Sequence, residues 1–210
     1  VRRGRSFAAF LFGLTALFVL LPAAAPGAEV GFCLSGGLFS PGGSVYRDIY
    51  GGATMVNAEA AFGLGSGLEL GLGLNIISDK GRAQLVEGEP GASYELKFTR
   101  YSLPLSLYFR FDAGPVVVRL GGGLAWVRFR EAWLDPGLEE LTVTGSVFSP
   151  RFSGTLDVDI ARRLSGCFTV LYESVTTSAS RVSVGSVNLG GLQFLAGLRL
   201  TLGSNRADGR

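Results

Sequence analysis

The chain of 210 residues has no histidine. That excludes a Ser-His-Asp triad, a histidine-ligated metal and any imidazole acid or base. Two cysteines are too few for a disulfide-rich scaffold or a four-cysteine zinc site. Charged residues are also scarce at 17%, against roughly 25% in ordinary soluble domains. What is present is apolar: hydrophobic residues reach 47% and aromatics 11%, with a mean hydropathy of +0.35. Such a composition argues against disorder. It fits a greasy globular domain or a membrane protein, and the length suits one domain or two small ones.

The formal charge of +2 has a local origin. Arg2, Arg3 and Arg5 precede an apolar run from Phe7 to Leu21, and Pro22-Ala-Ala-Ala-Pro-Gly-Ala28 follows. A basic start, about 15 apolar residues and a small-residue exit predict a secretory signal peptide over 1–28, cleaved after Gly27 or Ala28. An uncleaved anchor is the alternative, but a spanning helix needs about 20 residues. Without those three arginines 16 basic residues face 17 acidic ones, because every Asp and Glu lies at or beyond Glu29. A near-neutral mature chain has no electrostatic affinity for nucleic acid. Cys33 follows Phe32 rather than a lipidation box, so it is not read as a lipoprotein cysteine.

Beyond Ala28 the dominant period is two, that of a strand with one apolar face. Phe148, Phe152, Leu156, Val158 and Ile160 share one face with Pro150 and Gly154, while Ser149, Arg151, Ser153, Thr155, Asp157 and Asp159 share the other. The same alternation runs over Leu68–Ile76, Leu103–Phe111, Phe168–Glu173 and Leu192–Leu202. Weaker versions start at Val30, Val56 and Val116, for eight expected strands. Gly65-Ser66-Gly67, Asp112-Ala113-Gly114-Pro115 and Arg162-Arg163-Leu164-Ser165 read as short turns. Long links from Ser40 to Ala53, Ser78 to Ser93, Arg130 to Ser146 and Ser174 to Ser186 alternate with them. Antiparallel strands would then carry all long loops at one end and all short turns at the other. The expected fold is all-β, an eight-stranded antiparallel transmembrane barrel of up-and-down topology over 29–203, with a short C-terminal tail over 204–210.

The direction of the apolar face decides between two barrels. A soluble lipocalin-like carrier keeps it inside around a ligand. An outer-membrane barrel turns it to lipid and keeps a polar interior. Arg, Asp, Glu and many Gly occupy the second face here, and charged side chains in a narrow eight-stranded lumen need small neighbours. The lipid-facing arrangement accounts for that pattern better. Tyr46, Tyr50, Tyr94, Phe98, Tyr101, Trp126, Phe129, Trp133 and Phe148 gather where strands meet long links. Tyr94, Tyr101, Trp126, Trp133 and Phe148 are therefore expected as an interfacial girdle.

The stretch Tyr101-Ser-Leu-Pro-Leu-Ser-Leu-Tyr-Phe-Arg-Phe111, a tight turn and then Val116-Val-Val-Arg-Leu-Gly-Gly-Gly-Leu-Ala-Trp126 resembles the outer-membrane β-barrel domain family of small OmpA/OmpX-like barrels. Pro104 inside one strand and a glycine-rich patch in the next carry the resemblance, together with the final Gly197-Leu-Arg-Leu-Thr-Leu202. It implies a bacterial outer-membrane location. It also implies insertion by the barrel-assembly machinery, which would read Gly197, Leu200 and Leu202. Outer-membrane enzymes of this general size (lipid A deacylases, palmitoyl transferases, omptin proteases and barrel phospholipases) work through histidine, which is missing here.

Glu59, Glu69, Arg110, Arg119, Arg151, Asp157, Asp159, Glu173 and Arg199 fall on the polar face and are expected to form a lumen charge network. Buried charges must pair or reach water. A structural plug is the leading reading, a gate across a small-solute path the second. Asp157 and Asp159 share a face and could serve as paired carboxylates, but pairing with arginine is favoured. Two strand spacings of about 4.8 Å put Cys33 and Cys167 beyond the roughly 7 Å reach of a disulfide, so small lumen-filling thiols are expected. Loop acids Glu87, Glu89, Asp135, Glu139 and Glu140 lack calcium-site spacing and read as solvated surface. No cofactor, metal or catalytic residue is expected. The expected partners are outer-membrane lipid and lipopolysaccharide, the assembly machinery and a surface ligand reached through the four loops, with a monomeric barrel. A narrow channel for small or apolar solutes and a soluble periplasmic carrier remain alternatives.

Overall fold

The computed structural model describes residues 29–83, 93–135, 142–177 and 187–203. The segment expected to be a signal peptide, the expected tail, Glu87, Glu89, Glu139 and Glu140 lie outside these residues. The strands are β1 (Val30–Pro41), β2 (Ala53–Gly65), β3 (Leu68–Ala83), β4 (Tyr94–Ala113), β5 (Val116–Trp133), β6 (Val143–Ala161) and β7 (Leu164–Glu173), then the two-residue β8 (Thr176–Thr177) and β9 (Val187–Asn188), and β10 (Gly191–Leu202). One helix, α1 (Ser44–Tyr50), lies between β1 and β2. Eight strands close a barrel in the order β1-β10-β7-β6-β5-β4-β3-β2. Every pairing in it is antiparallel. β8 and β9 pair with each other as a small separate ribbon. The expected fold class is the observed one.

Tight turns join β2 to β3, β4 to β5 and β6 to β7 at one end of the barrel. In the first, Gly65, Ser66 and Gly67 all take positive φ, at 88°, 54° and 75°. Glycine reaches that region without steric cost, and only Ser66 occupies it with a side chain. Gly114 does the same in the second turn, with φ of 64°. The other end carries the long connections.

The strands differ in length, and this sets the shape. β1, β7 and β10 have 12, 10 and 12 residues, whereas β4, β5 and β6 have 20, 18 and 19. Crossing a bilayer takes about 9–11 tilted strand residues. The wall from β3 to β6 therefore rises well beyond that height on the loop side. Residues 79–83, 131–133 and 143–145, which the sequence reading placed in links, are strand, and β4 begins at Tyr94, well before the alternation read from Leu103. Cross-strand pairing along the tall wall holds them there: Lys80 faces Lys97 and Arg82 faces Glu95, and Glu131 faces Val143.

Polarity inverts along the tall wall. In the turn half of β4, Leu105, Leu107, Phe109 and Phe111 are exposed, while Ser106 and Tyr108 are buried inside. In its loop half Lys97 is exposed, and Leu96 and Phe98 are buried. β5 repeats this: Leu120 and Leu124 face out over the buried Arg119, then Arg128 and Arg130 face out over the buried Val127 and Phe129. β6 changes between Ser146 and Phe148. A wall with apolar groups outside suits hydrocarbon, and the reverse suits water. The crossover lies at Tyr101, Trp126 and Phe148, which face out on adjacent strands, with Trp126 opposite Phe148.

Candidate functional site: the barrel lumen

Inward residues from all eight barrel strands meet in a narrow lumen with two chemically distinct halves. The turn half is charged. Asp157 on β6 pairs with Arg119 on β5, and its Oδ2 lies 3.0 Å from Nε of Arg199 on β10. Arg119 Nε donates to Glu69 Oε2 at 2.7 Å. Arg199 reaches Glu59 at 3.8 Å, and Tyr108 Oη donates to that carboxylate at 2.8 Å. Arg110 bridges Glu29 at 2.5 Å, Glu69 at 3.3 Å and Asp112 at 3.0 Å. Asp159 accepts from Ser165 Oγ at 2.9 Å. Arginine supplies the branches because its planar fork can serve several carboxylates at once.

Strand glycines make room for this packing. The Tyr108 ring lies across β3 and β5: a Cβ on Gly71 would meet it at 2.5 Å, and one on Gly121 would come closer still. Any larger residue at either position would displace the ring that caps Glu59. The cavity left between Arg110, Arg119, Asp157 and Asp159 is about 20 Å³, close to the space one water requires.

Further up, a second buried ion pair crosses the lumen. Arg100 Nη2 donates to Glu173 Oε2 at 2.9 Å, and Nη1 donates to the Leu189 carbonyl at 2.6 Å. Ser102 and Gln193 donate to the same carboxylate oxygen at 3.4 and 3.3 Å. The Arg100 guanidinium also stands 5.0 Å from the centre of the Phe39 ring, within cation–π range. Both ionic side chains are almost wholly buried, at 1% and 0% exposure. Arg151 is buried on β6 directly opposite Glu173 on β7.

The loop half is an apolar core. Phe39, Ile77, Leu96, Phe98, Val127, Phe129, Val175, Leu189 and Leu195 form it. α1 drops Tyr46 and Tyr50 into its mouth, with Tyr46 edge-on to Phe98 at 4.9 Å and to Phe39 at 5.8 Å. Tyr50 Oη donates to Glu131 Oε2 at 3.2 Å. Burial, with the Glu131 carboxylate beside it, pushes this phenol up from its ordinary range, so it remains a neutral donor. The helix stops at Gly51, whose φ is 73° and whose N–H bonds to the Arg47 carbonyl at 2.8 Å.

The sequence-based site residues sort as follows. Glu59, Glu69, Arg110, Arg119, Asp157 and Arg199 come together in the turn-half network, Asp159 lies at its edge, and Arg151 and Glu173 sit with the upper pair. Arg100, Glu29, Glu131 and Gln193 were missed. Arg100 has the same parity as Ser102, Tyr108 and Arg110, and extending that strand toward the loop would have found it. Of the girdle residues, Tyr101, Trp126 and Phe148 face out, but two assignments need correction. Trp133 shares the inward face of β5 with Val127 and Phe129 and is buried at 3% exposure. Tyr94 packs 6.3 Å from its ring. Tyr46, Tyr50, Phe98 and Phe129 also point inward, as core of the upper barrel. On β10 Gly197 is inward, whereas Leu200 and Leu202 face out.

The separation expected for Cys33 and Cys167 is corrected too. Their sulfurs lie 2.9 Å apart as free thiols. β10 does separate their strands, with Arg199 opposite Cys33 and Gly197 opposite Cys167. Inward side chains converge on a narrow cylinder, however, and Gly197 places no side chain between the two thiols.

A closed eight-stranded antiparallel barrel, apolar outside at mid-height and charged inside, has the fold of the small outer-membrane barrels. No family model matches the sequence, and no curated protein matches it. Among solved structures, the chain is similar to the outer membrane protein OprG from Pseudomonas aeruginosa, with a TM-score of 0.62 and 11% identity over 83% of this chain and 96% of that one. Neisserial surface protein A gives a TM-score of 0.56 and 13% identity over 83% and 96%. A major outer membrane protein from Thermus thermophilus gives 0.50 and 13% over 83% and 99%. At such identities the likeness is one of fold.

Proposed function

We propose that the protein is a non-enzymatic bacterial outer-membrane barrel with a plugged lumen, acting structurally or by surface contacts through its loops. The observation that carries this reading is the polarity inversion on β4, β5 and β6. Large apolar side chains cover the outside at mid-height, and polar ones replace them above Tyr101, Trp126 and Phe148. A soluble carrier would keep apolar groups inside throughout, so the inversion weighs against that alternative. The plug reading draws on the ion pairs of the turn half and on the α1 tyrosines in the loop half. The non-enzymatic reading draws on the missing histidine and on carboxylates already paired to arginine or tyrosine.

Cell fractionation tests the location. Recovery with outer membranes, a detergent requirement and heat-modifiable gel mobility are expected. Release into osmotic-shock fluid without detergent would contradict it.

A further inference from the structure

The outward cations of the tall wall form a compact group. Lys80 on β3 stands directly opposite Lys97 on β4. Thr99, two residues from Lys97, is opposite Arg130 on β5, and Tyr101 is opposite Arg128. With about 4.8 Å between strands and about 6.7 Å between same-face residues along a strand, the four charges fall within a patch of roughly 10 by 14 Å. All four side chains are exposed. Among the described residues none of the four has an ion pair. The outward acid there, Glu95, is taken by Arg82 at 3.5 Å.

Like charges directly opposite on paired strands are destabilising, so the Lys80–Lys97 pair is unfavourable unless an anion lies across it. A groove of about 550 Å³ opens beside Lys80; Lys97, Arg128 and Arg130 line it with Thr99, Tyr101 and Thr144, and Phe129, Ala132 and Leu134 give it an apolar side. Its volume is in the range of ligand sites. Thr99 adds a neutral hydroxyl donor between the cations, and Thr144 adds one on β6, beside Arg130.

Position identifies the occupant. The cations do not crown the loops; they lie on the outer wall, immediately above the outward Tyr101, Trp126 and Phe148. That is the depth at which headgroups meet the hydrocarbon boundary. We propose that Lys80, Lys97, Arg128 and Arg130 bind the phosphates of a phosphorylated glycolipid headgroup in the outer leaflet, with its acyl chains lying on the apolar wall below. This rests on the outer-membrane reading above and assigns that reading a lipid site.

The test uses the folded full barrel in detergent and vesicles of phosphatidylcholine with a tenth part of diphosphoryl lipid A. Dephosphorylated lipid A and a soluble heparin oligosaccharide serve as comparison ligands. Native mass spectrometry and vesicle flotation report binding. The wild type is expected to hold diphosphoryl lipid A about tenfold more tightly than the dephosphorylated form, and than the variant K80Q/K97Q/R128Q/R130Q does. A control removing cations elsewhere, R47Q/R162Q/R163Q, is expected to bind as the wild type does. Equal binding by the four-site variant overturns the proposal, as does heparin occupying the same residues with no preference for lipid. Heat-modifiable mobility separates the failures. If it persists without lipid binding, only the lipid site is wrong. If the barrel proves water-soluble, the membrane reading falls too.

Discussion

Asp157 offers a quantitative test of the lumen network. Its side chain is 1% exposed and lies between Arg119 at 5% and Arg199 at 2%. Asp157→Asn keeps the shape and removes the charge, leaving two buried guanidiniums short of one carboxylate. Removing one partner of a buried pair costs about 3–5 kcal/mol. Arg119 retains Glu69 at 2.7 Å and Arg199 retains Glu59 at 3.8 Å, so the lower end applies. The expected loss is about 3 kcal/mol, on the order of a hundredfold in the unfolding equilibrium. Urea unfolding of the barrel in lipid vesicles, followed by tryptophan fluorescence and by the heat-modifiable gel shift, measures it. Arg199→Gln in the Asp157→Asn background should recover part of the loss, because contacting residues couple by about 0.5–3 kcal/mol. A loss under about 1 kcal/mol, or strictly additive effects, would refute the claim that these charges are desolvated and mutually dependent.

Other outcomes follow from the same geometry. Leu105→Arg, on the outward face, should cost about 2–4 kcal/mol in vesicles, whereas on a water-exposed wall it would be nearly neutral; the same urea titration separates the two. Gly121→Val should drive a methyl group into the Tyr108 ring and cost about 1–3 kcal/mol, and Tyr108→Ala in that background should relieve part of it. Tyr46→Ala should remove packing worth about 3 kcal/mol and speed amide exchange in α1 without changing strand protection. Cys33 and Cys167, buried in the lumen, should both resist alkylation in the folded barrel and both react in urea, as counted by intact mass.

Much of the wall was legible because a strand on a barrel has only two faces, and here they are chemically opposite, apolar outside and polar inside. Phe148, Phe152, Leu156, Val158 and Ile160 declared the outside of β6 by period alone, and Asp157 and Arg151 declared its inside. The pattern misled where the outward face changes polarity. Above Tyr101 and Trp126 the outward side chains are polar, and Phe98, Phe129 and Trp133 turn inward like the core of any soluble protein. Nearness to a loop was a poor guide to their direction, and parity along β5 was the better one. Helix α1 was missed because seven residues between two glycines give too short a periodic signal, although Tyr46 and Tyr50 are spaced to share a helix face. The Cys33–Cys167 contact was missed because strand spacing describes a flat sheet, and side chains inside a narrow cylinder converge.

The claim that the lumen is closed can be tested most directly by electrical recording on the purified barrel in planar bilayers. With the ion-paired turn half and α1 in place, the wild type should show no steady unitary conductance across the physiological voltage range. A stable conductance that changes when Arg119 or Asp157 is neutralised would contradict the plug and make this barrel a narrow channel.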